Sequence, residues 1–212
     1  MRALRNPTRP AAVTPRTVEQ LTLGFTPPEA KPAALVDDDT GRIVYAPGVV
    51  DARTAADWFA ALQRGTEWKA ERRPMYDRVV DVPRLTAYFR SGDDWPAPLP
   101  AAKRIAERFA GERFNSVGLN LYRDGRDSVA MHNDHLNELV EGSPVLLISL
   151  GSGRRMRIHS KAQPRRSFDV VLEPGSVLLM AGASQMHWEH GIPKTRDPVG
   201  PRISLAFRRR PG

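Results

Sequence analysis

The sequence predicts a mainly β protein, an antiparallel sandwich or jelly roll that carries helices on one outer face. Two amphipathic helical patterns occur in the first half of the chain. From Phe114 onward, apolar residues recur at every second position in about eight short runs, separated by glycine- and proline-containing turns. The strands are therefore expected to carry the functional site, and the helices are expected to pack against the strands and support them.

Composition and charge narrow the classes of function. The chain has 212 residues, with 32 Lys and Arg against 24 Asp and Glu, for a formal net charge of +8. A basic surface favours polyanions, with nucleic acid ahead of an acidic membrane surface. The absence of cysteine excludes a disulfide framework, an iron–sulfur cluster and a thiol nucleophile. No apolar run approaches the ~18 residues of a membrane span, and the N-terminus lacks a secretory signal, so we expect a cytoplasmic protein without membrane attachment.

The length suits one domain with an appendage. We expect residues 1–36 to form a flexible, basic, proline-rich arm, and residues 37–212 to form the domain. Proline interrupts helices. The arm contains six prolines: Pro7, Pro10, Pro15, Pro27, Pro28 and Pro32.

The two helical patterns follow a short predicted strand at Gly41–Ala46. In the first helix, Asp51 or Thr54 serves as the N-cap and Gly65 ends the helix. The second helix follows Pro98 and Pro100 and ends at Gly111. The apolar stripes of the two helices consist of Ala55, Trp58, Phe59 and Leu62, and of Ala102, Ile105, Ala106 and Phe109.

Between the helices, residues 67–95 are interpreted as loops and short strands that form a lid over a substrate. Arginines alternate there with aromatic residues, a mixture that suits phosphates and stacked bases. Beyond the second helix, strands are predicted at Phe114–Tyr122, Val129–Asp134, Pro144–Leu150, Met156–His159, Phe168–Leu172, Ser176–Met180, His187–Ile192 and Arg202–Phe207.

A candidate metal site begins with His132 and Asp134. The two residues lie two positions apart on a predicted strand, so their side chains are expected to project from the same face. A third ligand from another strand would complete the set of two histidines and one carboxylate that holds ferrous iron on one face. His190 is the best candidate for that ligand, and His187 is the alternative.

The last predicted strand carries arginines on one face. Strict alternation directs Arg202, Ser204, Ala206 and Arg208 to one side of the strand, opposite Ile203, Leu205 and Phe207. Guanidinium groups bind carboxylates in a bidentate manner, so the two arginines can converge on a small dianion. Asn120 and Tyr122 project together from a second alternating strand and could assist.

These motifs together resemble the AlkB family of iron(II)- and 2-oxoglutarate-dependent oxygenases. The order and spacing of five segments carry the resemblance, which covers roughly residues 83–208: Asn120-Leu121-Tyr122, His132-x-Asp134, Glu141-Gly142-Ser143-Pro144, His190-Gly191-Ile192, and the strand from Arg202 to Arg208. The resemblance implies a double-stranded β-helix core with helical support and a nucleotide-recognition lid.

The resemblance also implies cofactors and residue roles. His132, Asp134 and His190 would be the catalytic iron ligands, with 2-oxoglutarate and O2 as co-substrates. Contacts to 2-oxoglutarate would come from Asn120, Tyr122, Arg202, Ser204 and Arg208. The activity it implies is oxidative demethylation of N-alkylated nucleobases in DNA or RNA, with release of formaldehyde, succinate and CO2.

Nucleic-acid contacts are expected from the lid and from the residues that follow the first metal ligands. The candidates are Arg72, Arg73, Tyr76, Arg84, Tyr88, His135 and Leu136. A second basic run, residues 154–161 with Arg165 and Arg166, is interpreted as a further contact to a nucleic-acid backbone, with a solvated face as the alternative.

Two other functions stay open at this stage. Leu136 stands where members of the repair type often carry an acidic residue, which favours an oxygenase of the same chemistry that acts on a protein side chain or a small metabolite. A non-catalytic nucleic-acid-binding module with a degenerate site is the third hypothesis. Nothing in the sequence requires more than a monomer.

Overall fold

The computed structural model describes residues 31–75 and 78–212, without the side chains of residues 73–81. Twelve strands and three helices follow one another in these residues. In chain order they are β1 (Ala33–Asp38), β2 (Gly41–Ala46), α1 (Ala52–Gly65), β3 (Lys69–Met75), β4 (Arg78–Arg90), α2 (Pro98–Ala110), β5 (Ser116–Tyr122), β6 (Val129–His132), β7 (Val145–Gly151), β8 (Arg154–Ser160), β9 (Ser167–Leu172), β10 (Val177–Ala181), α3 (Ser184–His187), β11 (Trp188–Ile192) and β12 (Arg202–Arg208).

The strands form two antiparallel sheets. The larger sheet has the order β1-β2-β10-β7-β12-β5-β4-β3, and the smaller has the order β6-β11-β8-β9. The sheets share one apolar core, which includes Tyr122 and Ala206 from the larger sheet and Ile158 and Trp188 from the smaller. This arrangement confirms the predicted mainly β jelly roll.

The second apolar core lies between the other face of the larger sheet and the two long helices. Ile203, Leu205 and Phe207 of β12 belong to it, whereas Ala206 belongs to the core between the sheets. The alternation predicted for this strand is therefore confirmed.

Helices α1 and α2 begin and end close to their predicted limits. Asp51 caps α1, since its Oδ1 accepts a hydrogen bond of 2.9 Å from the backbone N–H of Thr54. Gly111 ends α2 with φ of 70°, a left-handed conformation that favours glycine. Within the described part of the chain, no helix is both long and apolar enough to cross a membrane.

The lid segment differs from its prediction. Residues 69–75 and 78–90 form two long antiparallel strands, β3 and β4, rather than loops and short strands; this pair is called the β3–β4 hairpin. On β4, Leu85, Ala87 and Phe89 pack against the helix-side core. Arg84, Thr86 and Tyr88 alternate with them and line a cavity on the opposite face. Arginine and proline in both strands obscure this alternation in the sequence.

Two boundaries also differ. Strand β1 begins at Ala33, inside the segment that the sequence assigned to the arm, and pairs with β2 along the edge of the larger sheet. Strand β6 ends at His132, so the prediction that Asp134 lies on this strand is wrong. Asp134 is instead part of the connection that follows.

Leu62 tests whether α1 docks as described, because it is fully buried in the helix-side core. Leu62→Ala is expected to lower the free energy of unfolding by about 2–5 kcal/mol, through lost burial and the remaining cavity. Urea denaturation followed by circular dichroism measures this change. Gln63→Ala, on the exposed face of the same helix, is the matched control and should change stability by less than about 0.5 kcal/mol. Equal effects of the two substitutions would contradict the docking.

Candidate active site

A cavity of about 1730 Å³ opens between the two sheets and the β3–β4 hairpin. Strands β4, β5 and β12 supply one wall, and β6 and β11 supply another. Eleven of the predicted site residues line this one cavity: Arg84, Tyr88, Asn120, Tyr122, His132, Asp134, His135, His190, Arg202, Ser204 and Arg208. The topology thus brings residues from five strands and the connection after β6 together.

His132 and His190 face each other across the β6–β11 pair. They are direct partners in the register, and their ring centroids lie 4.5 Å apart with the rings tilted by 46°. His132 Nδ1 lies 2.9 Å from the carbonyl oxygen of Ala130. A carbonyl only accepts, so this contact assigns the proton to Nδ1 and leaves the lone pair on Nε2.

His190 is the more buried of the two imidazoles. Burial, with a smaller contribution from the neighbouring His132, lowers the pKa of His190 to about 3. The ring is therefore neutral at physiological pH, which is the form that binds a metal.

Gly191 allows β11 to approach β6 closely beside these histidines. A Cβ at this position would come within 3.0 Å of both Met131 Sδ and the carbonyl oxygen of Val129. The register of the two strands also shifts between His190 and Ile192. A side chain at position 191 would therefore push the two histidine-bearing strands apart.

Asp134 binds Arg208 in a bidentate ion pair. Arg208 Nε and Nη2 donate hydrogen bonds of 2.9 Å each to the two carboxylate oxygens. Burial alone would raise the pKa of Asp134, but the charge and hydrogen bonds of Arg208, together with the two histidines, hold that pKa below its usual value. The carboxylate is thus ionised.

The three candidate ligands fit a divalent metal in donor type, as two imidazoles and one ionised carboxylate. As their side chains stand, no three His, Asp or Glu groups within residues 31–75 and 78–212 are arranged closely enough to hold an ion. The imidazoles already meet, whereas the Asp134 carboxylate is engaged by Arg208. Binding a metal would therefore require Asp134 to exchange at least part of this ion pair.

Arg202 lies deep in the cavity, with only 1% of its surface exposed. Its Nη2 donates a hydrogen bond of 2.9 Å to Ser149 Oγ, and its Cζ lies 5.3 Å from the centre of the Tyr122 ring. Burial lowers its pKa to about 10, so it is still a cation at neutral pH. Its Nε has no hydrogen-bond partner in the described part of the chain. A buried cation with a spare donor is suited to an anionic ligand.

Neighbouring strands place the other predicted co-substrate residues around Arg202. Tyr122 is the register partner of Arg202, and Asn120 is the register partner of Ser204. Arg84 donates a hydrogen bond of 2.8 Å from Nε to Asn120 Oδ1. Arg84 was predicted as a nucleic-acid contact, but in the structure it borders the inner, cationic end of the cavity.

Arg154, which the sequence placed in the second basic run, lies beside the site instead of at the surface. It is buried, and its guanidinium donates to the carbonyl oxygens of Asp124, Asp127 and Pro193 at 2.9–3.0 Å. Its Cζ lies 5.7 Å from the centre of the ring of Tyr122, which itself lines the cavity. The inward alternation of Arg154, Met156 and Ile158 along β8 was the available signal.

Three other arginines of the second basic run pair with acidic residues. Arg155 and Arg157 both pair with Asp169, at 3.7 and 3.1 Å. Arg166 pairs with Asp38 at 2.8 Å, and its Cζ lies 4.6 Å from the centre of the Trp188 ring. The interpretation of this run as a backbone contact for nucleic acid is therefore wrong for Arg154 and weakened for the paired arginines.

The remaining substrate candidates lie at or beyond the mouth of the cavity. Tyr88 is 42% exposed, and the Cζ atoms of Arg90 and Arg210 lie 5.5 and 5.4 Å from its ring centre. His135 lines the cavity, whereas Leu136 is 51% exposed and does not.

Two further candidates, Arg72 and Arg73, belong to β3, the outer strand of the hairpin. Arg72 is exposed on β3. For Arg73 the structure describes only the backbone, and Tyr76 lies outside the described residues. Arg210, which the sequence did not single out, lines the cavity and binds Glu138 Oε2 at 2.6 Å.

Comparisons with known proteins agree with this site. Residues 42–208 match the family model of the 2OG-Fe(II) oxygenase superfamily. The chain is 31% identical over 187 residues to the alpha-ketoglutarate-dependent dioxygenase alkB homolog 3 of Bos taurus, covering 79% of this chain and 65% of that protein. It is 35% identical over 125 residues to the DNA oxidative demethylase ALKBH2 of Mus musculus, covering 54% and 52%.

A solved structure supports the same fold. The structure of OsALKBH1 superimposes with a TM-score of 0.59 at 16% identity, covering 79% of this chain and 97% of that one. The chain spans about two thirds or less of the length of the curated relatives described above. The match over residues 42–208, together with the named relatives, shows that the chain belongs to the 2OG-Fe(II) oxygenase superfamily and, within it, to the AlkB family.

Proposed function

We propose that the protein is an Fe(II)- and 2-oxoglutarate-dependent dioxygenase that demethylates N-alkylated nucleobases in DNA or RNA. Formaldehyde, succinate and CO2 would be the products. One observation carries this proposal: a cavity whose walls combine two facing imidazoles and a carboxylate with a deeply buried arginine that pairs with no carboxylate of the described residues. The same cavity therefore offers a metal-binding end and an anion-binding end.

The metal-binding end consists of His132, Asp134 and His190. Bound there, Fe(II) would supply the oxidation of an alkyl C–H bond with O2 and 2-oxoglutarate. The protein contributes the protonation states that this requires, since His190 is held neutral and Asp134 is held ionised. It also contributes a largely dry wall, because His190, Arg202 and Tyr122 are all less than 7% exposed.

The anion-binding end suits a keto diacid. Arg202 can bind one carboxylate with its spare Nε, and Tyr122, Asn120 and Ser204 line the adjacent wall. Arg208 lies six residues along the same strand, about 20 Å away at the backbone, and its long side chain reaches back to Asp134. A small diacid would thus lie between two guanidinium groups that face the same cavity.

The mouth of the cavity suits a nucleobase. Tyr88 presents an exposed ring, flanked by Arg90 and Arg210, and aromatic rings stack bases while arginines bind phosphates. A modified base inside a duplex is hidden, so it would have to be single-stranded or flipped out to reach this mouth. Two relatives that carry the name DNA oxidative demethylase support nucleic acid as the substrate class.

An oxygenase that acts on a protein side chain or a small metabolite is the second candidate. Leu136 favours it, because this exposed apolar side chain stands where an acidic residue is expected in the repair type. A metabolite substrate would not need the exposed Tyr88, so the two candidates separate in the experiments below.

Demethylation is tested directly with methylated single- and double-stranded DNA and RNA oligonucleotides, in the presence of Fe(II), ascorbate and 2-oxoglutarate. Mass spectrometry is expected to show the loss of a methyl group from at least one oligonucleotide, with stoichiometric formaldehyde. His132→Ala should abolish the reaction, whereas His159→Ala, on β8 away from the cavity, should not. Succinate release without any demethylation, across the whole panel, would contradict a nucleic-acid substrate.

Arg202→Met tests the anion-binding end, since methionine retains much of the volume and removes the charge. Hydrogen bonds to charged groups contribute about 1.5–3 kcal/mol, so the KM for 2-oxoglutarate should rise roughly 10- to 100-fold. Steady-state kinetics with varied 2-oxoglutarate measure this change. Arg157→Met, at the surface on β8, is the matched control and should leave the KM unchanged. A KM that is the same in both variants would remove Arg202 from the co-substrate site.

Tyr88→Ala tests the stacking surface. Stacking of one base on an aromatic ring contributes about 1–3 kcal/mol, so the affinity for a single-stranded oligonucleotide should fall roughly 5- to 150-fold. Fluorescence anisotropy measures the affinity. Tyr88→Phe keeps the ring, loses only the hydroxyl contact to Arg90, and should bind nearly as well as the parent protein. Equal affinity of the alanine variant would place base stacking elsewhere.

A further inference from the structure

Asp134 differs from the two histidines in how the fold holds it. His132 and His190 are fixed by the pairing of β6 with β11, but β6 ends at His132. The main chain at Asp134 therefore has no strand partner to define its position. Something other than the sheet must fix the third ligand of the proposed metal site.

We infer that Gln185 is the positioning residue for Asp134. The backbone N–H of Asp134 donates a hydrogen bond of 2.8 Å to Gln185 Oε1. Gln185 is only 4% exposed, so its amide is held within the protein and does not sample solvent. A poorly hydrated peptide N–H is costly to leave without a partner, so this bond specifies where the Asp134 main chain lies.

The environment of Gln185 fixes the direction of its amide. Its Nε2 lies 3.8 Å from Met180 Sδ, a weak acceptor at the end of β10. The NH2 group thus faces Met180, and the oxygen faces Asp134. A side chain of the same length without an amide oxygen would fill the space but could not accept from the Asp134 N–H.

Further hydrogen bonds hold the segment after β6 that contains Asn133 and Asp134. Lys161 Nζ donates to Asn133 Oδ1 at 3.0 Å and to the carbonyl oxygen of Gln185 at 3.3 Å. Asn133 Nδ2 in turn donates to the carbonyl oxygen of Asp134 at 3.1 Å. Lys161 therefore joins the residue before Asp134 to the backbone of the residue that binds Asp134.

Gln185 also links the two halves of the ligand set. It lies on α3, which leads directly into β11 and to His190 five residues later. The bond from Asp134 to Gln185 thus connects the segment that carries His132 and Asp134 to the segment that carries His190. This inference rests on the proposed metal site and adds a residue that touches neither the metal ligand side chains nor the substrate.

Mn(II) binding by the full chain, measured by calorimetry, tests the inference without turnover. Gln185→Met should weaken Mn(II) binding about 10- to 100-fold, the range found when partners of metal ligands are removed. Gln185→Glu keeps an acceptor of equal reach and should bind Mn(II) within a few-fold of the parent protein. Met186→Gln, on the exposed face of the same short helix, is the matched control and should not change the affinity.

Hydrogen exchange of the parent protein adds a readout that needs no variant. The Asp134 amide should be protected although it lies outside every strand, and an unprotected amide would overturn the inference. A folded Gln185→Met variant that binds Mn(II) as tightly as the parent would also overturn it, while leaving the metal site intact. Failure of the parent protein itself to bind Mn(II) would contradict the proposed function, and this inference with it.

Discussion

The alternation of side chains along β12 is the constraint on which the rest of the molecule depends. This strand lies inside the larger sheet, between β5 and β7, and both of its faces are buried. One face places Ile203, Leu205 and Phe207 under the helices, and the other opens into the cavity. A shift of register by one residue would exchange these faces, so the strand that builds the helix-side core also fixes where the arginines lie. Stability and the site are thus set by one strand.

Burial of Arg202 costs the folded protein free energy of solvation. This guanidinium is 1% exposed and has no carboxylate partner in the part of the chain that the structure describes. It has lost its hydration, and contacts with Ser149 and Tyr122 replace only part of it. Arg154 also lies near the Tyr122 ring, and its guanidinium donates to three carbonyl oxygens. The described cavity therefore has a positive inner end whose charge is only partly compensated. An anionic co-substrate would compensate this positive charge, so its binding is expected to raise the free energy of unfolding.

The sequence predicts the parts of this fold that follow regular periods. Both long helices and β12 depend on local alternation, and these predictions are confirmed. The β3–β4 hairpin is not predicted because its cavity face carries the polar residues Arg84, Thr86 and Tyr88. In the sequence these residues are typical of an irregular polar segment. Arg154 was assigned to the surface because charge dominates the pattern of residues 154–161. Gln185 was missed because its role arises from a contact with Asp134, 51 residues away in sequence, which no local pattern encodes.

Arg208 connects the two ends of the cavity and explains why Asp134 needs support from the main chain. Its guanidinium holds both oxygens of the Asp134 carboxylate, so any ligand that uses one of these oxygens must share them with Arg208. A carboxylate for which Arg208 and a metal ion compete moves easily unless the backbone of its residue is fixed. The Gln185 acceptor fixes the backbone, which leaves only side-chain torsions free to redistribute the carboxylate between a cation and Arg208. The main chain at Asp134 is rigid, and its carboxylate can leave Arg208 for a metal ion. The three metal ligands can therefore come together when the metal binds, without a rearrangement of either sheet.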